Sequence, residues 1–288
     1  FSIFLPHLEK VIDLLRQQAE AYGYAESPYD ALIEDYERGM TAARIRPTFE
    51  RLRTHLSKMI RAIADADIRP RKDVLHRHYD SLRQWEFGLR ILKDMGFDFE
   101  AGRQDRSAHP FTSGTYSSDI RLTTRIDEHS LSSGLFSSMH EGGHGLYEQG
   151  FQEQHADTIL AASPSLGLHE SQSRLWENQV GRSMPFWRHY FPAAREIFPE
   201  SLGDIGVEDF YRAINTVEPS LIRVEADEAT YPLHIILRFE IEEGLITGAI
   251  APKDLPEIWN AKMQELLGIT PPDDARGVLQ DIHWSHGL

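Results

Sequence analysis

Two histidines four residues apart, in the string His140-Glu141-Gly142-Gly143-His144, constrain this chain more than any other feature. On a helix such a pair shares one face, one turn apart. If the two rings act together, the segment is helical. The two glycines weaken a helix by about 1 kcal/mol each relative to alanine, so a close approach of another backbone, or of a substrate, is expected there. Leu135, Phe136, Met139, Leu146 and Tyr147 supply apolar faces, which predicts that the helix is buried and that its histidines have partners.

Two imidazoles so placed can grip one zinc ion, with cobalt or manganese as possible substitutes. Glu141, beside the first of them, can reach a water on the metal and act as general base. The bland alternative is a helical histidine pair on the surface. A catalytic zinc site needs a third protein ligand. Glu148, Glu153, His155, Asp157, His169, Glu170 and Glu177 follow downstream. Glu148 lies one turn beyond His144 on the same helix and suits an outer supporting role. Glu170 is favoured, with His169 as competitor, because a second antiparallel helix starting near Leu166 would deliver it. Glu177, two turns on, could orient Glu170 or a histidine. The sequence has no cysteine, which excludes disulfides, thiolate zinc sites and cysteine nucleophiles.

The 288 residues carry 30 Lys and Arg against 45 Asp and Glu, a net charge of −15. No basic run offers a face for nucleic acid, and no apolar stretch approaches the roughly 18 residues of a membrane span. With no secretory signal visible, a cytoplasmic protein is the default. The apolar spacing predicts helices along Leu8–Ala19, Ala31–Met40, Ile45–Ile63, Val74–Met95, Leu135–Gln149, Leu166–Val180, Val207–Ile214, Leu221–Leu245 and Leu255–Leu267. Residues 107–118 are rich in Ser, Thr, Gly and Pro, and Asp119–Thr124 alternates like a short half-buried strand. The fold class expected is mainly α with a small β-sheet near residues 115–125. With no linker evident, residues 1–288 read as a single mostly helical domain. The start at Phe1 and the end at Ser285-His286-Gly287-Leu288 read as cut.

The chain resembles the carboxypeptidase Taq family of zinc metallocarboxypeptidases. The matching blocks, in order, are His109-Pro110-Phe111, Asp119 to Thr123, His140 to His144, His169-Glu170-Ser171-Gln172, Ile222 to Asp227, and Gly277 to Trp284. The resemblance implies a helical-cleft zincin fold similar to neurolysin. It implies His140, His144 and Glu170 as ligands, Glu141 as base, and peptides with a free C-terminus as substrates. Single residues would be removed with broad specificity, proline being disfavoured, by a homodimer in the full-length form. Family members are longer at both ends, so this chain reads as an internal piece of a metallopeptidase domain.

An enzyme acting at a C-terminus needs a cation for the terminal carboxylate, and an arginine fork suits it. Arg223 is the candidate, with Arg276 a weaker one. Arg223, Asp227, Tyr231, His234 and Arg238 would form one polar stripe of a helix kinked at Pro232. Tyr231 and His234 could stabilise an oxyanion. The plainer reading of that stripe is a solvated face with an Arg223–Asp227 ion pair. Arg121, on the strand with Asp119 and Thr123, could meet substrate along a strand edge or form a structural ion pair, and the ion pair is the simpler reading. His109 serves either substrate contact or packing, and Gln280, Asp281 and His283 read as a cleft wall. His7, His55, His76, His78 and His189 read as surface residues, and Phe186-Trp187 and Tyr190-Phe191 as packing. The leading reading is a zinc carboxypeptidase. Its rivals are an endo- or dipeptidyl peptidase on the same fold, and a truncated metal-binding scaffold without turnover.

Overall fold

The computed structural model describes residues 1–285 and Gly287; His286 and Leu288, in the chain end read above as cut, lie outside the described residues. In chain order the elements are α1 (Leu5–Tyr22), α2 (Pro28–Ile33), α3 (Ala42–Ala64), α4 (Ser81–Met95), β1 (Gly102–Arg106), β2 (Thr112–Gly114), β3 (Ile120–Thr124), α5 (Leu131–Gln149), α6 (Leu166–Arg174), α7 (Met184–Ile197), α8 (Pro199–Leu202), α9 (Val207–Ile214), α10 (Tyr231–Thr247) and α11 (Leu255–Leu267). They fall into two compact units. One joins Phe1–Ile68 to the chain from Val217 onward, and the other is the continuous run Arg69–Thr216.

In the continuous unit, α5 is the centre. Leu131, Leu135, Phe136 and Met139 enter a core with Phe87 and Ile91 of α4 and Trp187 and Phe191 of α7. A smaller cluster joins Leu92 and Phe97 to Ile120 and Leu122 of β3. The sheet order is β1-β3-β2, with β1 parallel and β2 antiparallel to β3. Thr112 stands opposite Leu122 in that register. Capping fixes the helix bounds. Asp80 accepts from Arg83 N at the start of α4, Gly96 closes that helix at φ 102°, and Ser165 accepts from Leu168 N at the start of α6. The Val74–Met95 segment is therefore not one helix. A 3-10 turn at Lys72–His76 precedes α4, and Tyr79 N donates to Glu128 O in between. The expected Leu166–Val180 helix is continuous but changes pitch, running as a π-helix over Leu175–Val180. The five histidines read as surface residues are exposed, and Trp187, Tyr190 and Phe191 are buried.

In the discontinuous unit, Leu8 and Ile12 of α1 pack with Leu233, Leu237 and Ile241 of α10 and with Trp259 and Met263 of α11. The helix expected from Leu221 begins only at Tyr231, and Pro232 sits in its first turn rather than at a kink. The cause is Asp227. Its carboxylate accepts from Glu218 N, Ala229 N, Thr230 N and the Thr230 hydroxyl, which holds the preceding backbone in a non-helical turn. Proline then suits the first turn, where its missing N–H costs nothing. Arg223 and Asp227 are consequently not on the helix that carries Tyr231, His234 and Arg238, and the expected single stripe does not exist.

Candidate metal centre

The metal-centre residues all come from the continuous unit. Helix α5 presents His140 and His144 with ring centroids 5.0 Å apart, and α6 presents Glu170. Glu170 Oε2 lies 3.5 Å from His140 Nε2 and 3.2 Å from His144 Nε2. Among the described residues these three are the group of potential ligand atoms close enough to share an ion, all within 4.8 Å of one another. The glycines explain how two helices come so near. A Cβ at Gly143 would stand 2.6 Å from Gln172 O and 2.7 Å from Ser173 Cα, so the backbone of α6 lies directly on α5.

The surroundings prepare the ligands. His140 Nδ1 is 2.8 Å from Glu177 Oε2, so Nδ1 donates to Glu177 and Nε2, the nitrogen turned toward Glu170, is the one a metal would take in place of a proton. The pitch change after Arg174 is where Glu177 sits, and the supporting role read for it falls on His140. His169 does not join the ligand set. It is 2.7 Å from Glu148 Oε1 through Nε2 and stacks on His144 at 4.4 Å between ring centroids. Glu148 thus supports the site through His169. Glu141 is buried, and its Oε2 accepts from the Thr112 hydroxyl at 2.6 Å, so strand β2 holds the carboxylate that is read as the base.

Two neutral imidazole nitrogens and one carboxylate oxygen, with no thiolate nearby, suit a zinc-like ion with a position left open. Protons compete for the same atoms. Burial disfavours the charged His140 ring, but its bonds to Glu170 and Glu177 outweigh this and raise its pKa to about 9. Burial likewise opposes ionisation of Glu170, yet the two histidines hold it well below the usual carboxylate range. A metal must therefore displace the His140 proton. Because that proton is bound at all pH values below about 9, the apparent zinc affinity is expected to rise about tenfold per pH unit from pH 6 to 8 and to level off above 9. Competition titration with a chelator of known affinity measures this, and a pH-independent affinity over that span contradicts it.

A family model described as carboxypeptidase Taq (M32) metallopeptidase matches residues 1–288. The chain belongs to this family. Thermostable carboxypeptidase 1 of Thermus thermophilus is 47% identical over 294 residues, covering 99% of this chain and 58% of the relative. Carboxypeptidase 1 of Bacillus subtilis is 41% identical over 287 residues, covering 100% and 57%. The crystal structure of the M32 carboxypeptidase from Deinococcus radiodurans R1 superposes with a TM-score of 0.97 at 44% identity, covering all of this chain and 57% of that one. The mainly helical fold with a small sheet is thus the neurolysin-like zincin fold of M32 structures. The chain spans less than three-fifths of the length of the curated relatives it matches.

The remaining M32 residues singled out by sequence divide between the units. In the continuous unit, both oxygens of Asp119 accept from the Arg121 guanidinium at 3.0 Å, the ion pair that was the simpler reading. His109 is exposed, with Nδ1 2.7 Å from Pro110 O. In the discontinuous unit, Arg223 Nη1 donates to the Tyr231 hydroxyl at 3.1 Å, and its Nε is 3.7 Å from Asp281. It makes these contacts in place of the pair with Asp227. Asp281 also accepts from Arg238 at 2.5 Å, so that cation is buried against carboxylates instead of lying on a solvated stripe. Arg276 is engaged by Asp273. His234 is 1% exposed, and burial followed by the nearby Arg223 charge lowers its pKa to about 4, so its ring is neutral at pH 7. Among the contributors that escaped the sequence reading are Arg174 and Thr112. Arg174 follows Glu170 at the helical i+4 spacing, a signal that was present. Thr112 meets Glu141 only through tertiary packing, and nothing local announces it.

Proposed function

We propose that this chain carries the chemical centre of a zinc-dependent metallocarboxypeptidase that releases single C-terminal residues from peptides, with broad specificity and proline disfavoured. The observation that carries this reading is the Glu141 carboxylate, buried and held by Thr112, on the residue that follows His140 of the His140, His144 and Glu170 trio. A site that only binds metal has no use for it.

His140, His144 and Glu170 would hold the ion. When bound, zinc supplies polarisation of the scissile carbonyl and acidification of a water. Glu141 takes the proton of the attacking water and returns it to the leaving amine. Thr112 limits the directions in which that carboxylate can point, and Glu177 keeps His140 in the tautomer that leaves Nε2 free. Arg223 is assigned to the substrate carboxylate, and Tyr231 and neutral His234 to the oxyanion. Their support is donor chemistry and the resemblance of the Ile222–Asp227 block. Arg121 and His109, offered by sequence for substrate, have less behind them, since the Arg121 fork is already filled by Asp119. Soluble peptides with a free C-terminus as partners, a cytoplasmic location and a homodimer in the full-length form belong to the same proposal. Among the described residues no helix is long and apolar enough to cross a membrane.

The test is a time course on an unblocked peptide, read by mass spectrometry, with zinc and with chelator. Products shortened one residue at a time from the C-terminus, lost on chelation, are expected. Loss of residue pairs or internal cuts would keep the peptidase and refute the single-residue activity. Bound zinc without turnover would leave a metal-binding scaffold.

A further inference from the structure

The carboxylate of Glu170 is not free to choose how it meets an ion. Its Oε1 accepts from Arg174 Nε at 2.9 Å. Its Oε2 accepts from the Ser173 hydroxyl at 3.0 Å, and that hydroxyl also bonds the Glu170 carbonyl at 2.7 Å. Ser173 is fully buried. Oε2 is the oxygen that meets both imidazoles. Arg174 is itself fixed, because its Nη1 donates to Glu177 Oε2 at 3.2 Å, the oxygen that also holds His140. Arg182 adds a second cation 3.6 Å from the other Glu177 oxygen. One guanidinium therefore spans the third ligand and the partner of the first.

A cation beside a metal site is an electrostatic cost. It opposes binding of a divalent ion by simple repulsion, so something else must explain its position. A carboxylate can bind zinc through one oxygen or two. Through two, it fills the position that a catalytic site keeps open. We propose that Arg174 is a positioning residue that confines Glu170 to one-oxygen coordination and so keeps the fourth position of the metal free. This rests on the reading above that His140, Glu170 and His144 hold a metal. The planar guanidinium fork does this work, and a point charge does not substitute for it: Nε faces Glu170 while Nη1 faces Glu177, a two-direction grip that an ammonium on a flexible stem does not fix. The plain alternative is an i, i+4 ion pair that merely stabilises α6.

The experiment uses the whole chain loaded with cobalt as a visible reporter, in wild type, Arg174→Lys and Arg174→Met. The expected wild-type spectrum is the intense visible band of a four-coordinate ion. Both variants are expected to bind cobalt at the same stoichiometry but with the weaker bands of a five-coordinate ion, the second carboxylate oxygen taking the fourth position and water a fifth, and to lose peptidase activity about 10- to 100-fold. Arg174→Lys separates geometry from charge, since it keeps the repulsion and loses the fork. Zinc-edge X-ray absorption on wild type alone covers the case of variants that do not fold. A one-oxygen carboxylate there supports the proposal, and a two-oxygen carboxylate overturns it. Variants with an unchanged cobalt spectrum overturn the Arg174 assignment while the metal reading stands. A wild type that takes up neither ion overturns both.

Discussion

Replacing Glu141 by glutamine is expected to leave zinc stoichiometry intact and to lower peptide hydrolysis by about 10²- to 10⁴-fold, the usual worth of a positioned general base. Glutamine preserves the shape of the side chain, and its carbonyl oxygen can still accept from the Thr112 hydroxyl that now bonds Glu141 Oε2 at 2.6 Å. What it removes is the ability to take a proton. The group that could hold the metal is His140, His144 and Glu170, so metal content should not follow activity down. Metal analysis alongside kcat and KM makes the comparison. Undiminished turnover would sink the role given to Glu141. Loss of zinc together with turnover would show that its part is structural.

The second large effect concerns two adjacent glycines. Alanine at Gly142 would set its Cβ 2.3 Å from Leu92 Cδ2 and 3.1 Å from Met95 Cε. Those are side-chain tips that can rotate away, and the gain of about 1 kcal/mol in helix propensity offsets part of the crowding. Alanine at Gly143 instead meets the Gln172 carbonyl and Ser173 Cα, which have nowhere to rotate. Relief requires α6 to move off α5, and α6 carries Glu170. Gly143→Ala is therefore expected to cost about 1–3 kcal/mol of stability. It is also expected to cost about 10²-fold in activity, since a displacement near 1 Å is enough for that. Gly142→Ala should stay close to wild type in both. Thermal unfolding and zinc titration of the two variants side by side decide it, and equal zinc affinity in both would contradict the account of why α5 has a glycine at 143.

The parts of the molecule that were legible in sequence are those whose signal is local. The α5 metal motif, α9 and α11 announce themselves through apolar spacing. Glu170 and Glu177 could be placed because helical periodicity carries across the segment after Leu166, even though the pitch loosens at Leu175. The parts that were not legible depend on competition or on distant pairing. Asp227 outbids the helix for four hydrogen bonds, which no periodicity records. Strand β1, with the polar sequence Gly102-Arg103-Gln104-Asp105-Arg106, is a strand because β3 pairs with it. Helix α7 was visible only as a run of aromatics suited to packing. The Thr112–Glu141 contact joins residues far apart in sequence, and only the sheet brings them together.

The division of the chain bears on the order of assembly. Every residue of the metal centre, from Thr112 to Arg182, lies within the uninterrupted stretch Arg69–Thr216. Its elements meet without waiting for any part of the chain outside that stretch. The other unit joins Phe1–Ile68 to residues beyond Val217, so α1 cannot bury Leu8 and Ile12 against α10 and α11 until the whole intervening stretch has been made. During synthesis from the N-terminus, the stretch that carries the metal centre can therefore mature before α1 meets α10 and α11. A substitution in the core around Leu8 would raise the aggregation risk of the nascent chain more than one around His140, although the latter is the site to which the chemistry is assigned.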